Sequence, residues 1–204
     1  MKKCCIVGGG DFPAGFFDKT EYDLIIAADS GCLYLDSLGI EADIYIGDFD
    51  SLGKIPEKEN VIKLPVEKDD TDVSAALKYA MDKGFENIDI FGGLGGKRLS
   101  HTVANIQLLI YAKKRGVSAL LFGNGCRVRV LENESLGVKE KGISVSVFAL
   151  ETRAKVKETG MKYPFDGYLE EEFPLGVSNC TVSDDAEITV SDGIALIIEE
   201  KEEA

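Results

Sequence analysis

The chain lacks the marks of an exported, membrane-bound or nucleic-acid-coating protein. Its five cysteines, Cys4, Cys5, Cys32, Cys126 and Cys180, are odd in number and form no Cys-x-x-Cys pair. That excludes a disulfide framework and a cysteine-built zinc site, and it reads as the small buried thiols of a cytoplasmic protein. No apolar stretch approaches the roughly 20 residues needed to cross a bilayer. Met1-Lys2-Lys3 has the charge of a signal peptide, but the apolar run behind it is cut at Gly8-Gly9-Gly10, too early for that role. Basic charge is scarce: 23 Lys and Arg stand against 36 Asp and Glu, a net charge of −13. This excludes a general binder of nucleic acid or anionic membrane. A phosphate ligand stays open, because a bound cation reverses the local sign. Neither Gly-x-Gly-x-x-Gly nor a P-loop is present, and there is no internal repeat.

What is there is an ordinary globular composition, 45% hydrophobic and 29% charged over 204 residues, enough for one domain or two small ones. Short apolar runs alternate with helical patterns in the first half. Cys4 to Val7 reads as a strand ending in three glycines. Leu24 to Ala28 reads as a second, delivering Asp29-Ser30-Gly31 to its tip ahead of a short helix from Cys32 to Leu38 closed by Gly39. Asp29 has two readings, a cap for that helix or a grip on a ligand hydroxyl.

The chain is organised around two acidic stretches. Asp43 to Ile46 reads as a strand and runs into Gly47-Asp48-Phe49-Asp50-Ser51. Carboxylates at the C-terminal end of a strand lie where open α/β sheets bind ligands. Asp48 and Asp50 share a side if the backbone stays extended. The second stretch, Lys68-Asp69-Asp70-Thr71-Asp72, follows the strand Val61 to Leu64 and opens a helix to Asp82, with Val73, Ala76, Leu77 and Ala80 on one face. Thr71 is its expected N-cap, and Asp72 falls in the first turn, where the helix dipole favours a negative charge. Crowded acids repel unless something positive lies between them. Mg²⁺ carrying phosphates satisfies them, and a solvated acidic loop is the plain alternative.

Ile88 to Phe91 reads as a fifth strand, leading into Gly92-Gly93-Leu94-Gly95-Gly96-Lys97-Arg98-Leu99-Ser100-His101. Four glycines and two cations ahead of a helix suit an anion. His101, the sole histidine, reads as a cap or packing residue, or as part of the nucleotide site. Val103, Ile106 and Ile110 share a helix face, and Val117 to Phe122 is a sixth strand. After Gly123-Asn124-Gly125 the pattern changes to period 2 in Arg127 to Val130, Ile143 to Val147 and Ala154 to Lys157, with no helix. Ser191-Asp192-Gly193 reads as a hairpin turn, and Glu199 to Glu203 as a solvated end. The expected fold is α/β, a mostly parallel sheet with helices on both faces over residues 1–124, followed by a small all-β sandwich over 125–204.

Five of these segments, in order, resemble thiamine pyrophosphokinases: Ala28-Asp29-Ser30-Gly31, Gly47 to Ser51, Lys68 to Asp72, Gly95 to Asn105, and Gly176-Val177-Ser178-Asn179. One position departs. The family usually has Asp before the histidine, where this chain has Ser100, and Lys97 beside Arg98 lengthens the loop. The resemblance implies transfer of pyrophosphate from ATP to the hydroxyl of thiamine, with Mg²⁺, by a catalytic domain (1–124) and a thiamine-binding domain (125–204). It further implies a homodimer with sites shared between subunits. On that basis Asp48, Asp50 and Asp72 are the expected metal ligands, and Asp69 adds a water-mediated metal contact or accepts the hydroxyl proton. Arg98 contacts phosphate, with Asp29, Thr71 and His101 placing ATP. Ser178 bonds the aminopyrimidine, and Asn179 shares that site and its turn. Two rivals are a transferase acting on another alcohol, separated by substrate profiling, and a non-catalytic sensor, which never produces AMP.

Overall fold

Four consecutive apolar residues, Cys4 to Val7, are fully buried, as expected of a strand covered on both sides in a parallel sheet. They belong to β1 (Lys3–Val7) in a computed structural model that describes residues 2–65, 67 and 70–201. Asp69, with its neighbour Lys68, lies outside the described residues. The chain divides into two compact units at Asn124/Gly125.

The first unit adds β2 (Leu24–Ala28), β3 (Ile44–Gly47), β4 (Val61–Lys63), β5 (Asn87–Phe91) and β6 (Ser118–Gly123). All its strand pairings are parallel, in the order β6-β5-β1-β2-β3-β4. The order reverses between β1 and β5, and such a switch point opens a crevice at the C-terminal ends of the strands. Helix α1 (Gly31–Ser37) packs on β1 and β2, α2 (Asp72–Asp82) on β1 to β3, and α3 (Leu99–Lys113) on β6. Cys5, Val7, Ile25, Ala27, Tyr45, Phe91 and Phe122 meet Cys32 and Leu35 of α1 in one apolar cluster, which also takes in Phe49. A buried polar knot ties its base: Asp89 pairs with Lys3 at 2.8 Å and accepts the Tyr22 hydroxyl at 2.9 Å.

Helix α2 buries the expected stripe, Val73, Ala76, Leu77 and Ala80, with Ser74 added. Helix α3 turns differently. Asn105, Leu109 and Ala112 face inward, and Val103 is 50% exposed. The inward choice follows Asn105, whose amide reaches the Gly93 carbonyl at 2.7 Å.

The second unit is antiparallel throughout: β7 (Cys126–Val138), β8 (Ile143–Ala149), β9 (Arg153–Thr159), β10 (Phe165–Glu170), the short β11 (Asn179–Cys180) and β12 (Ala186–Lys201). Taken over the whole chain, therefore, the fold is mixed α/β with mixed pairing and few helices. Two expectations are corrected here. Ser191-Asp192-Gly193 is no hairpin turn. It is a bulge within the single strand β12, where Val190 faces Glu134 and Ile194 faces Glu132 of β7. The bulge lets one strand change partners, from β9 before it to β8 after it. Nor is Glu199 part of a solvated end: it is 9% exposed and pairs with Arg129 at 2.9 Å.

Gly193 carries the bulge with φ +78°, and a β-carbon there would lie 2.4 Å from the Arg153 carbonyl oxygen. Gly193→Ala is therefore expected to cost more than the roughly 1–2 kcal/mol of left-handed strain alone. A urea denaturation midpoint equal to that of the parent chain would restore the hairpin reading.

Candidate active site

Strands β2 and β3 lie side by side with Ala28 opposite Ile46, so both chains leave the sheet at the same level. The Asp29 N–H extends the pairing by one bond, to the Ile46 carbonyl at 2.9 Å. Gly47 permits this closeness, since a β-carbon there would stand 3.1 Å from the Asp29 α-carbon. Asp29 itself is left-handed, φ +49°, which non-glycine residues adopt only where the surroundings over-determine it. Its side chain does not cap α1, which has no side-chain cap.

Two residues after Gly47, Phe49 is also left-handed, φ +60°, and is buried in the apolar cluster. Asp48 and Asp50 therefore do not converge by the alternation of an extended strand. The buried ring pins a tight turn, and the turn folds Asp50 back so that its N–H donates to the Asp48 carboxylate at 3.2 Å. The result is a set of three acids, Asp29, Asp48 and Asp50, each offering one carboxylate oxygen within 4.8 Å of the other two. Ser51 donates its hydroxyl to one Asp29 oxygen. The other, Oδ1, is buried with no hydrogen-bond partner. An orphaned buried carboxylate oxygen among like charges is costly, and an oxygen-seeking divalent cation fits it.

The second acidic stretch is more structural. Thr71 caps α2, its hydroxyl accepting the Ser74 N–H at 3.1 Å. Asp70 holds Lys78 through both oxygens, at 2.8 and 2.7 Å. Asp72 occupies the first turn of α2 and is not one of the three converging acids among the described residues. It does make itself felt across the crevice. His101 titrates below its ordinary 6.5, chiefly because burial disfavours the charged ring and also because Arg98 is near, while Asp72 pulls the other way. The beginnings of α2 and α3 thus share one electrostatic environment.

The glycine-rich loop is zipped to the loop after β1. Gly8 N–H bonds the Phe91 carbonyl, Gly10 N–H that of Gly92, and Asp11 N–H that of Leu94, at 2.8, 2.8 and 2.9 Å. Gly92, φ +63°, could carry no β-carbon, which would fall 2.2 Å from the Gly8 carbonyl oxygen. Arg98 is exposed at the N-cap of α3, with no side-chain cap and no acid in the first turn. With Ser100 in the first turn and no acid there, the dipole is uncountered. Asp11, against Gly95, and Asn105 both shape this loop. Neither was singled out from the sequence, although Asp11 directly follows the three glycines.

In the second unit Ser178 is exposed and left-handed, φ +57°, and its N–H bonds the Ser146 hydroxyl at 3.0 Å. Asn179 is buried, and its amide is saturated within the unit. The oxygen accepts the Tyr163 and Cys180 N–H groups, and the nitrogen donates to the Glu158 carboxyl and the Tyr163 carbonyl.

Comparison with known proteins bears on this geometry. Residues 19–121 match the family described as "Thiamin pyrophosphokinase, catalytic domain". A thiamine pyrophosphokinase of Bacillus subtilis (strain 168) is 29% identical, over 97% of this chain and 98% of its own length. The crystal structure of the Bacillus subtilis thiamine pyrophosphokinase superposes with a TM-score of 0.86 at 27% identity, covering 99% of this chain and 100% of that one. That of the Geobacillus thermodenitrificans thiamin pyrophosphokinase gives 0.83 at 25% identity, covering 99% of each.

The opposed influences on His101 make a direct test of the crevice. Asp72→Asn is expected to move the imidazole pKa further down, and Arg98→Ala to move it up, both read from ring-proton chemical shifts. An unmoved His101 in both variants would separate the two helix starts.

Proposed function

The chain belongs to the thiamin pyrophosphokinase family, and we propose how its residues divide the work of that reaction. The enzyme transfers pyrophosphate from ATP to thiamine. The substrate hydroxyl oxygen forms a bond to the β-phosphorus, the bond from that phosphorus to the α–β bridging oxygen breaks, and AMP leaves; the hydroxyl proton is released. Transfers of this kind depend mainly on positioning and charge neutralisation. The single observation that carries the proposal is the convergence of Asp29, Asp48 and Asp50 beside the switch-point crevice.

Those three carboxylates are the proposed Mg²⁺ ligands, with Asp72 completing the set from the start of α2. Bound there, Mg²⁺ would neutralise phosphate charge. Asp29 thereby takes a metal role as well as the ATP-placing one expected for it. Arg98 and the uncapped start of α3 hold phosphate, by charge and by free backbone N–H groups. His101, whose burial and Arg98 neighbour disfavour the charged ring, donates or accepts a hydrogen bond there. Thr71 acts through its cap on α2, which sets Asp72 in place. Asp69 is proposed as a water-mediated metal contact or as acceptor of the hydroxyl proton. Ser178 is the proposed partner of the thiamine ring, and Asn179 holds the turn that presents it.

Further readings belong to the same proposal. The sheet of the first unit is layered by helices on both faces, and the second unit is a sandwich, supported by the change of partners along β12. The protein works as a homodimer with shared sites, supported by exposed apolar side chains on α3 (Leu99, 77%) and in the second unit (Phe173, 64%; Leu175, 60%). A cytoplasmic location is supported by five free cysteines. No helix of the described residues is long and apolar enough to cross a membrane.

Incubation with ATP, Mg²⁺ and thiamine is expected to yield thiamine diphosphate and AMP in equal amounts by chromatography; AMP without thiamine diphosphate would move the activity to another acceptor. Asp50→Asn or Asp72→Asn is expected to abolish turnover with circular dichroism unchanged, and near-normal turnover in either would remove that residue from catalysis. Arg98→Ala is expected to lower kcat by about 10²-fold or more, the scale of a lost transition-state charge contact, and to leave the thiamine KM nearly unchanged. Equal damage to both would argue against phosphate contact.

A further inference from the structure

Strand β9 turns Ala154, Val156 and Glu158 inward and Arg153, Lys157 and Thr159 outward. The inward series is apolar except at its end, where a carboxyl sits 5% exposed at the edge of the core of the second unit. Burying an acid on the apolar face of a strand is costly and needs a compensating bond. Among the described residues one is made: Oε2 accepts the Asn179 amide at 2.8 Å, and Oε1 is buried without a partner there.

That one bond completes a closed set. The Asn179 oxygen takes the N–H groups of Tyr163 and Cys180 at 3.1 and 2.9 Å, and its nitrogen gives one hydrogen to the Tyr163 carbonyl at 2.8 Å and the other to Glu158. An amide has two acceptor positions and two donors, so Asn179 has nothing left for a ligand. What it can do is hold the chain. On one side of it, Lys162 N–H bonds the Cys180 carbonyl at 2.7 Å and Val182 N–H that of Gly160 at 2.9 Å. On the other, Ser178 is left-handed and exposed, and Gly176 accepts the Val147 N–H at 2.7 Å.

We infer that Glu158 is a positioning residue for the alcohol substrate: its buried carboxyl fixes the Asn179 amide, and through it the Gly176–Asn179 turn that presents Ser178. Without an acceptor at Glu158, one amide hydrogen is stranded in the interior and the side chain loses the contact that, with Tyr163, sets which end is oxygen and which nitrogen. Burial raises the Glu158 carboxyl above its ordinary range, with the Asn179 amide opposing this less strongly. Glutamine matches the carboxyl in shape and keeps an acceptor oxygen, so Glu158→Gln keeps the acceptor and Glu158→Met removes it at similar volume. The inference rests on the reading of Ser178 as a thiamine contact, which Ser178→Ala tests by itself.

The experiment measures thiamine KM, ATP KM and kcat of the full-length enzyme, with amide hydrogen exchange at residues 178–180. Glu158→Met is expected to quicken exchange there and to raise the thiamine KM by about tenfold, with ATP KM and kcat within about twofold, a loss confined to binding one substrate. Glu158→Gln is expected to restore both readouts. A parental thiamine KM in Glu158→Met, an equal loss in ATP KM and kcat, or failure of Gln to rescue would overturn the inference. If Ser178→Ala also leaves the thiamine KM unchanged, the reading of Ser178 has failed; if Ser178→Ala raises it and Glu158→Met does not, only the role of Glu158 has failed. Should Glu158→Met not fold, the smaller β-branched Glu158→Val removes the same acceptor and is judged by the same outcomes.

Discussion

Mutual repulsion among Asp29, Asp48 and Asp50 is the constraint that the first unit is built to withstand. Two unit charges about 5 Å apart repel by about 1 kcal/mol in water and by about 3 kcal/mol at the effective dielectric of a protein surface. Left to themselves, the side chains would swing apart. They are kept within 4.8 Å because each is fixed by something apolar or backbone-bonded behind it. The Asp29 backbone is held to Ile46, and the turn at Asp48 to Asp50 is held by the buried ring of Phe49. The strain of two left-handed residues is supported by the apolar cluster beneath them, which is where an enzyme can place it at little further cost.

The same economy governs the facing loop. The strand order reverses between β1 and β5, so the loops leaving these two strands flank the crevice. They are joined by main-chain bonds, not by side chains. Glycine is required where they touch, because a β-carbon at Gly92 would overlap the Gly8 carbonyl. A loop fixed through its backbone leaves Lys97, Arg98 and the start of α3 facing outward, with no acid in the first helical turn. Negative charge is thus concentrated on the β2–β3 side, and positive charge with open N–H groups on the β5–α3 side. The metal-bound polyphosphate of the proposed reaction would meet both kinds of partner.

Much of this was legible in the residues. The parallel strands announced themselves as unbroken apolar runs, and α2 by its 3, 4, 7 spacing with Thr71 as its cap, because these patterns are local. The membership of Asp29 in the acidic set was not legible. Nineteen residues separate it from Asp48, and only the adjacency of β2 and β3, in the register that pairs Ala28 with Ile46, brings them together. The conformation of Phe49 was hidden for a related reason: a left-handed phenylalanine is unfavourable alone and exists only because a core formed elsewhere receives its ring. Ser191-Asp192-Gly193 carries the residue types of a turn, and a bulge uses the same ones. The choice between them is made by β8 and β9, which both need β12 as a partner.

The two units treat a buried carboxyl in opposite ways, and the difference marks what each is for. Asp29 keeps an unpartnered oxygen beside two further acids, a cost that the proposed cation would relieve. The Glu158 carboxyl has one hydrogen-bond partner among the described residues, a neutral amide already committed on every side. Its burial favours the protonated form, so stability from this group is fully present below the unfolded pKa and is lost as pH rises through the higher folded value. An unsatisfied carboxyl oxygen suits the metal and phosphate site proposed for the first unit. A buried carboxyl tied to a turn suits the role proposed for the second unit, a surface that keeps its shape for the thiamine ring.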